Sequence, residues 1–169
     1  LCLGDRRLTE LGVNCVQGDA KILSPWEVEV NGQTLTAKNI VIATGARPRV
    51  PDIPGLAALD YLTSDTVWDI RDLPERLLVV GAGPIGCELA QSFARLGSKV
   101  TLVTHADRLL PREDPEVSER VHAEFRRQHV KVHANYNPLF VGAAENEQTC
   151  VFSTPRGQRK LSFDRVLLA

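Results

Sequence analysis

Methionine is absent from all 169 residues. Leu1 is therefore no translation start, and the chain stops at "FDRVLLA", inside what reads as a buried strand, so a segment of a longer protein is expected. Long apolar runs are missing too. None approaches the roughly 20 residues of a membrane span, and "LCLGDRRLTE" meets Asp5, Arg6 and Arg7 too early for a signal-peptide core. A cytoplasmic protein is expected. Charge of one sign is also lacking: 20 basic residues stand against 21 acidic ones, so no bulk field draws the chain to nucleic acid or an anionic bilayer, and neither partner is expected. The four cysteines, Cys2, Cys15, Cys87 and Cys150, form no CxxC or CxxxxC pair. That spacing excludes a zinc ribbon, a disulfide framework and a self-contained redox dithiol, leaving small apolar core residues. His122 and His129 are spaced to share one helical face, with His133 in the next strand, yet no carboxylate or thiolate cluster joins them. Solvated histidines and no metal site are expected. The basic stretches "FRRQHVK" and "RGQRK" carry no interleaved aromatics and read as solvated faces.

What remains is ordinary globular composition organised as a β-rich part followed by an α/β part. "RRLTELG" reads as a helix end with Leu8 and Leu11 inward and Gly12 as its cap, followed by a short strand "VNCVQG". "WEVEVNG" and "QTLTA" alternate and meet at Asn31-Gly32, a strong hairpin signal. "NIVIATG" predicts a continuous apolar strand, and "ARPRVPDIPGL", with Pro48, Pro51 and Pro54, a stiff extended link. "TSDTVWDI" predicts a short helix capped by Thr63 or Ser64, and "RDLP" a boundary near residue 73. Beyond it "RLLVVG", "KVTLVT" and "VKVHA" are strands separated by two helices. The first carries Ile85, Leu89, Phe93 and Leu96 on one face and ends at Gly97; the second has Asp114 as N-cap, Pro115 at its first position and Val117, Val121 and Phe125 inward. The tail reads as a meander with a turn near Arg156-Gly157, closing on a final buried strand.

The chemistry is concentrated in "LLVVGAGPIGCELA". Gly81, Gly83 and Gly86 stand in GxGxxG spacing between a strand and an amphipathic helix that leads to a second strand, the context in which this motif means dinucleotide binding. The first glycine allows the tight turn, the second lets the backbone approach a diphosphate, and the third lets helix and strand pack closely. Free N–H groups, Ile85 among the neighbours, then face the anion at the positive end of the helix dipole. Pro84 at the first helical position has no N–H to offer. The end of the second strand selects the dinucleotide, because a carboxylate there binds the ribose of NAD and repels the extra phosphate of NADP. Here that position is Thr104, followed by His105 and Arg108. The missing carboxylate tilts the expectation toward NADPH, while Arg108 can equally pair with Asp107 in a solvated loop.

In the order "NIVIATGARPRVPDIPG", "LLVVGAGPIGCELA", "VTLVTHADRLLPREDPEVSE" and "DRVLLA", the chain resembles the flavoprotein pyridine nucleotide-disulfide oxidoreductases, the group of dihydrolipoamide dehydrogenase, mercuric reductase and glutathione reductase. The likeness runs from about Gly18 to Ala169. It implies an α/β fold in which residues 1–62 are the C-terminal half of an FAD-binding domain, 63–72 a linker helix, and 73–169 a Rossmann-like NAD(P)-binding domain with a parallel sheet and a β-meander. It further implies that Ala20, Ala43, Thr44 and Gly45 lie against FAD, and that Glu88 reaches toward the flavin. Without the resemblance Glu88 is an acid favourably placed in the first turn of a helix. Pro84 replaces an aromatic gate found in some relatives. The implied function is that of a segment of an FAD-dependent NAD(P)H:disulfide, or related acceptor, oxidoreductase. Its whole protein is expected to be a homodimer, and the segment alone to be inactive for want of the first glycine motif and the dithiol. A non-catalytic NAD(P)-sensing module and a flavoprotein dehydrogenase without a dithiol stay open beside it.

Overall fold

The computed structural model describes residues 5–144 and 147–169, so Cys2 lies outside the described residues. The chain divides into two compact units, residues 1–46 and 47–169. By compactness, residues 47–62 thus go with the second unit, whereas the sequence reading groups them with the first.

In the first unit a short helix α1 (Asp5–Glu10) precedes an antiparallel sheet of β1 (Ala20–Ser24), β2 (Glu27–Val30) and β3 (Gln33–Thr36). Asn31 and Gly32 both take positive φ, 54° and 76°, as a two-residue hairpin of matching twist requires. The Asn31 side chain donates from Nδ2 to the Gln17 carbonyl at 2.7 Å, tying the turn to the segment before β1. Three expectations fail here. Leu11 is exposed rather than inward. "VNCVQG" and "NIVIATG" pair with no strand among the described residues, and Val41 is left 86% exposed. A run that is apolar on both faces becomes a strand only between neighbours that supply hydrogen bonds, and this unit provides none for it.

The second unit is built on a parallel sheet in the order β10-β4-β5-β6, from β4 (Arg76–Val80), β5 (Lys99–Val103), β6 (Lys131–His133) and β10 (Arg165–Leu168). Right next to it lies the meander of β7 (Asn137–Ala144), β8 (Glu147–Thr154) and β9 (Gly157–Phe163). Period-two alternation divides the apolar strands between two cores. Leu77, Val79, Leu102 and Leu167 pack with Ala90 and Phe93 of α2 (Pro84–Leu96) and Phe125 of α3 (Pro115–Arg127). Leu78, Val103, Val166 and Leu168 pack with Val141, Cys150, Phe152 and Phe163 of the meander. Coverage of both faces explains why β4, β5 and β10 read as continuous apolar runs. Ile53, Leu56 and Leu59 join the meander-side core, and Leu62 bridges to Leu167.

The expected linker helix is instead a 3-10 turn over Val67–Asp69. Thr63 and Thr66 hold it by side-chain bonds: Thr66 Oγ1 accepts from the Thr63 amide and Thr63 Oγ1 from that of Asp65, which favours a turn over helix propagation. Of the expected stripe on α2, Phe93 is buried and Leu89 packs against the core, but Ile85 and Leu96 face outward, and Gly86, Cys87 and Ala90 complete the inward face. Small residues let the helix lie close to the strands. In α3 Phe125 is buried as expected, but Val117 is 41% exposed, and Asp114 caps through its carbonyl, not its side chain.

Arg76 anchors the sheet to the turn between β9 and β10. Its guanidinium donates twice to Asp164 Oδ1, at 3.0 and 2.6 Å, while Asp164 Oδ2 accepts from the Arg76 amide at 2.8 Å. Hydrogen bonding to Arg76 holds the Asp164 carboxyl below the usual carboxylate range. A depressed pKa contributes stability at pH above the unfolded value and loses it as pH falls through the folded value. Asp164→Asn should therefore lower the melting temperature at neutral pH and flatten its decline below about pH 4, where aspartate begins to protonate, as read by thermal melts across pH. Phe152→Ala, which empties a fully buried site, should cost about 3–5 kcal/mol in urea unfolding.

Candidate functional site at the glycine turn

The three glycines have three different surroundings. Gly81 takes φ +119°, and a Cβ there would stand 1.9 Å from the Ala169 carbonyl oxygen. A Cβ on Gly86 would stand 2.2 Å from the Gly81 oxygen. Both are held by packing: the first turn of α2 lies against the ends of β4 and β10 with no room for a methyl. Gly83 is otherwise. Its φ is −72°, accessible to any residue, and a Cβ there would meet nothing within 4 Å. It borders a cavity of about 400 Å³ whose other walls are Pro84 and the loop Leu110, Pro111, Arg112 and Glu113.

The donors for an anion are at this turn. No side chain caps α2 at Gly83, Pro84 has no N–H, and the amide of Cys87 bonds to the Gly83 carbonyl at 3.0 Å. The amides of Ile85 and Gly86 precede it and fall among those that a helix start leaves unpaired. Open space at Gly83, main-chain donors and the helix dipole together fit a diphosphate. A second groove of about 390 Å³ shares Pro84, Leu110 and Glu113 and continues between α2 and α3 to Glu88 and Gln91, with Cys87 and Phe125 beneath. Glu88 is exposed on this groove, one turn along α2. Burial, reinforced by the Glu88 carboxylate, pushes the Cys87 thiol up to about 11, and its Sγ lies 3.6 Å from the Ala82 carbonyl. Burial likewise pushes Cys150 to about 12. Neither is a thiolate nucleophile near neutral pH.

At the end of β5, Thr104 is buried, its Oγ1 accepting from the Ala106 amide at 3.1 Å, so the exposed side chain at the discriminating end is His105. Arg108 does not make the expected pair with Asp107. Its Nη2 donates to the carbonyls of Pro111 and Glu113, at 3.1 and 3.0 Å. His129, with φ +58°, lies past the end of α3 and shares no helical face with His122. His133 stacks on Tyr136 at 4.8 Å, and burial, then Lys131, lower its pKa. Among the described residues no group of three His, Cys, Asp or Glu is placed to hold a metal. In the first unit Ala20 opens β1, Ala43 and Thr44 are exposed, and Gly45 takes φ +71°. The cavity's far wall, Leu110 to Glu113, is not among the residues the sequence singles out. Its one sequence signal is Pro111, a loop-stiffening residue between β5 and α3.

The profile of the family described as pyridine nucleotide-disulphide oxidoreductase matches residues 5–169. A mercuric reductase of Staphylococcus aureus is 36% identical over 163 residues, 96% of this chain and 30% of that protein. A dihydrolipoyl dehydrogenase of Mycoplasma pneumoniae is 39% identical over 159 residues, 91% of this chain and 34% of that protein. Among solved structures, the HOCl-induced flavoprotein disulfide reductase RclA of Escherichia coli aligns with a TM-score of 0.71 at 29% identity, over 97% of this chain and 38% of that one. The chain spans about a third of the length of these relatives.

The unequal surroundings of the glycines separate packing from ligand space. Gly81→Ala and Gly86→Ala should each cost at least about 1–3 kcal/mol in chemical denaturation, as overpacking does. Gly83→Ala, at an open N-cap, should stay within about 1 kcal/mol of the unsubstituted chain.

Proposed function

The chain belongs to the pyridine nucleotide-disulphide oxidoreductase family, and from that premise we propose that it carries the pyridine-nucleotide site of an FAD-dependent NAD(P)H oxidoreductase acting on a disulfide or related acceptor. The single observation that supports this most is the space above Gly83: a position where packing tolerates a side chain, yet which borders a cavity at a helix start. The amides of Ile85 and Gly86 hold the diphosphate, Gly81 and Gly86 fix the turn that aims them, and Pro84 bounds the cavity on the helix side. Bound pyridine nucleotide supplies a hydride that flavin can accept. His105 and the end of β5 receive the adenosine end. With no carboxylate there, NADPH is favoured over NADH. Glu88 borders the groove continuous with the cavity and is the carboxylate placed toward the flavin side. Ala20, Ala43, Thr44 and Gly45 contact FAD, in a unit whose apolar segment Val41–Ile42 is exposed for pairing within a larger flavin domain. The whole protein is a cytoplasmic homodimer with no nucleic-acid or membrane partner. The chain by itself turns over nothing, because it holds no dithiol pair and no second glycine motif.

Titration of the chain with NADH and with NADPH, followed by nucleotide fluorescence, tests this reading. Both should bind, and Gly83→Val should weaken both by at least about tenfold, which is 1.4 kcal/mol, while leaving the melting temperature near that of the unsubstituted chain. His105→Glu should weaken NADPH by about tenfold through like-charge repulsion and leave NADH within about twofold. Absence of binding, or equal binding by the Gly83→Val chain, overturns the reading.

A further inference from the structure

We propose that Arg108 is a positioning residue for the dinucleotide site, setting the width of the cavity beside Gly83 from behind its far wall without touching the ligand. The proposal rests on the reading that the cavity takes a pyridine dinucleotide. A half-buried arginine just past the nucleotide-selecting strand invites a phosphate-binding role, but its geometry points inward. Nη2 reaches two carbonyls of the same loop, Pro111 at 3.1 Å and Glu113 at 3.0 Å, and Nε is buried without a partner. A planar guanidinium can hold two acceptors at a fixed angle, whereas a lysine ammonium gathers them with no set direction. The loop it gathers is tight: Leu110 takes φ +46°, unusual for a branched apolar residue, and the Glu113 amide closes back on the Leu110 carbonyl at 2.9 Å. The same loop is docked on the glycine turn, because the Leu110 amide donates to the Ala82 carbonyl at 2.8 Å. Arg108 thus connects through three main-chain groups to the residue before Gly83. Pro111, Arg112 and Glu113, the residues it orders, are the wall facing Gly83 and Pro84.

Loss of the fork would relax the strained Leu110 and let the wall drift, and the cavity would lose its fit to whatever lies along the turn, whichever dinucleotide that is. Arg108→Lys, which keeps the charge and loses the fork, is the test. Affinities for NADH and NADPH are measured by fluorescence titration at several salt concentrations, at a temperature where circular dichroism finds both chains folded. The expected result is a loss of about tenfold for both dinucleotides with their ratio and salt dependence unchanged, together with shifted amide resonances of Ala82 and Gly83 in the ligand-free chain. Arg108→Gln, whose planar amide nitrogen also carries two N–H donors on a shorter stem, should lose less, and serves if the lysine chain does not fold. A loss confined to NADPH with a shallower salt dependence would make Arg108 a phosphate contact and overturn the proposal. Unchanged affinities would overturn it as well. Binding by the unsubstituted chain, measured in the same series, separates these outcomes from failure of the dinucleotide reading itself.

Discussion

The close approach of Gly81, Gly86 and Ala169 is the constraint on which the second unit depends. Two missing methyl groups let a helix start within contact distance of a strand end, with backbone atoms standing where any Cβ would have to be. Everything functional is a consequence of that proximity. The helix dipole and its unpaired amides are delivered to the carboxyl end of a parallel sheet, the place where open α/β folds bind ligands. Gly83, between the two, has no such packing duty and is the one of the three that borders open space.

How much of this was legible in the sequence follows from how local each determinant is. The strand-turn-helix-strand unit, the Asn31-Gly32 hairpin and the meander were readable because period, turn residues and caps act over a few positions. The strand and helix-face errors are non-local, and the linker-helix error is a local competition. "NIVIATG" has strand composition, but a strand is made by its neighbours, and Val41 finds none among the described residues. From the stripe Ile85, Leu89, Phe93 and Leu96, Phe93 and Leu89 meet the core, but Ile85 and Leu96 do not, because the face a helix buries is the one that allows the closest approach, here through Ala90 and Cys87. "TSDTVWDI" carries helix-start residues whose hydroxyls close on neighbouring amides and stop at a turn.

The site divides in the same way. Gly81, Gly83, Pro84, Ile85 and Gly86 could be named because the motif is contiguous, and only the structure distinguishes the two glycines that pack from the one that opens. Thr104 occupies the expected position at the end of β5 but is buried, its hydroxyl bonded to the Ala106 amide, and the exposed side chain there is His105. The loop from Leu110 to Glu113 carries no motif. It becomes a wall through a left-handed leucine, a guanidinium behind it and one amide in front.

In the proposed reading, affinity and dinucleotide choice are carried by different parts of the same crossover. There the diphosphate end would lie between the α2 start and the loop that Arg108 bonds, whose polar contributions are largely main-chain and so indifferent to which dinucleotide is present. The adenosine end would meet a single exposed position after β5, where one side chain's charge would decide. Because Ala82 accepts from Leu110 while Thr104 bonds to Ala106, the two ends are anchored by separate hydrogen bonds. Substitution at residue 105 can change selectivity without moving the walls that set how tightly either dinucleotide is held.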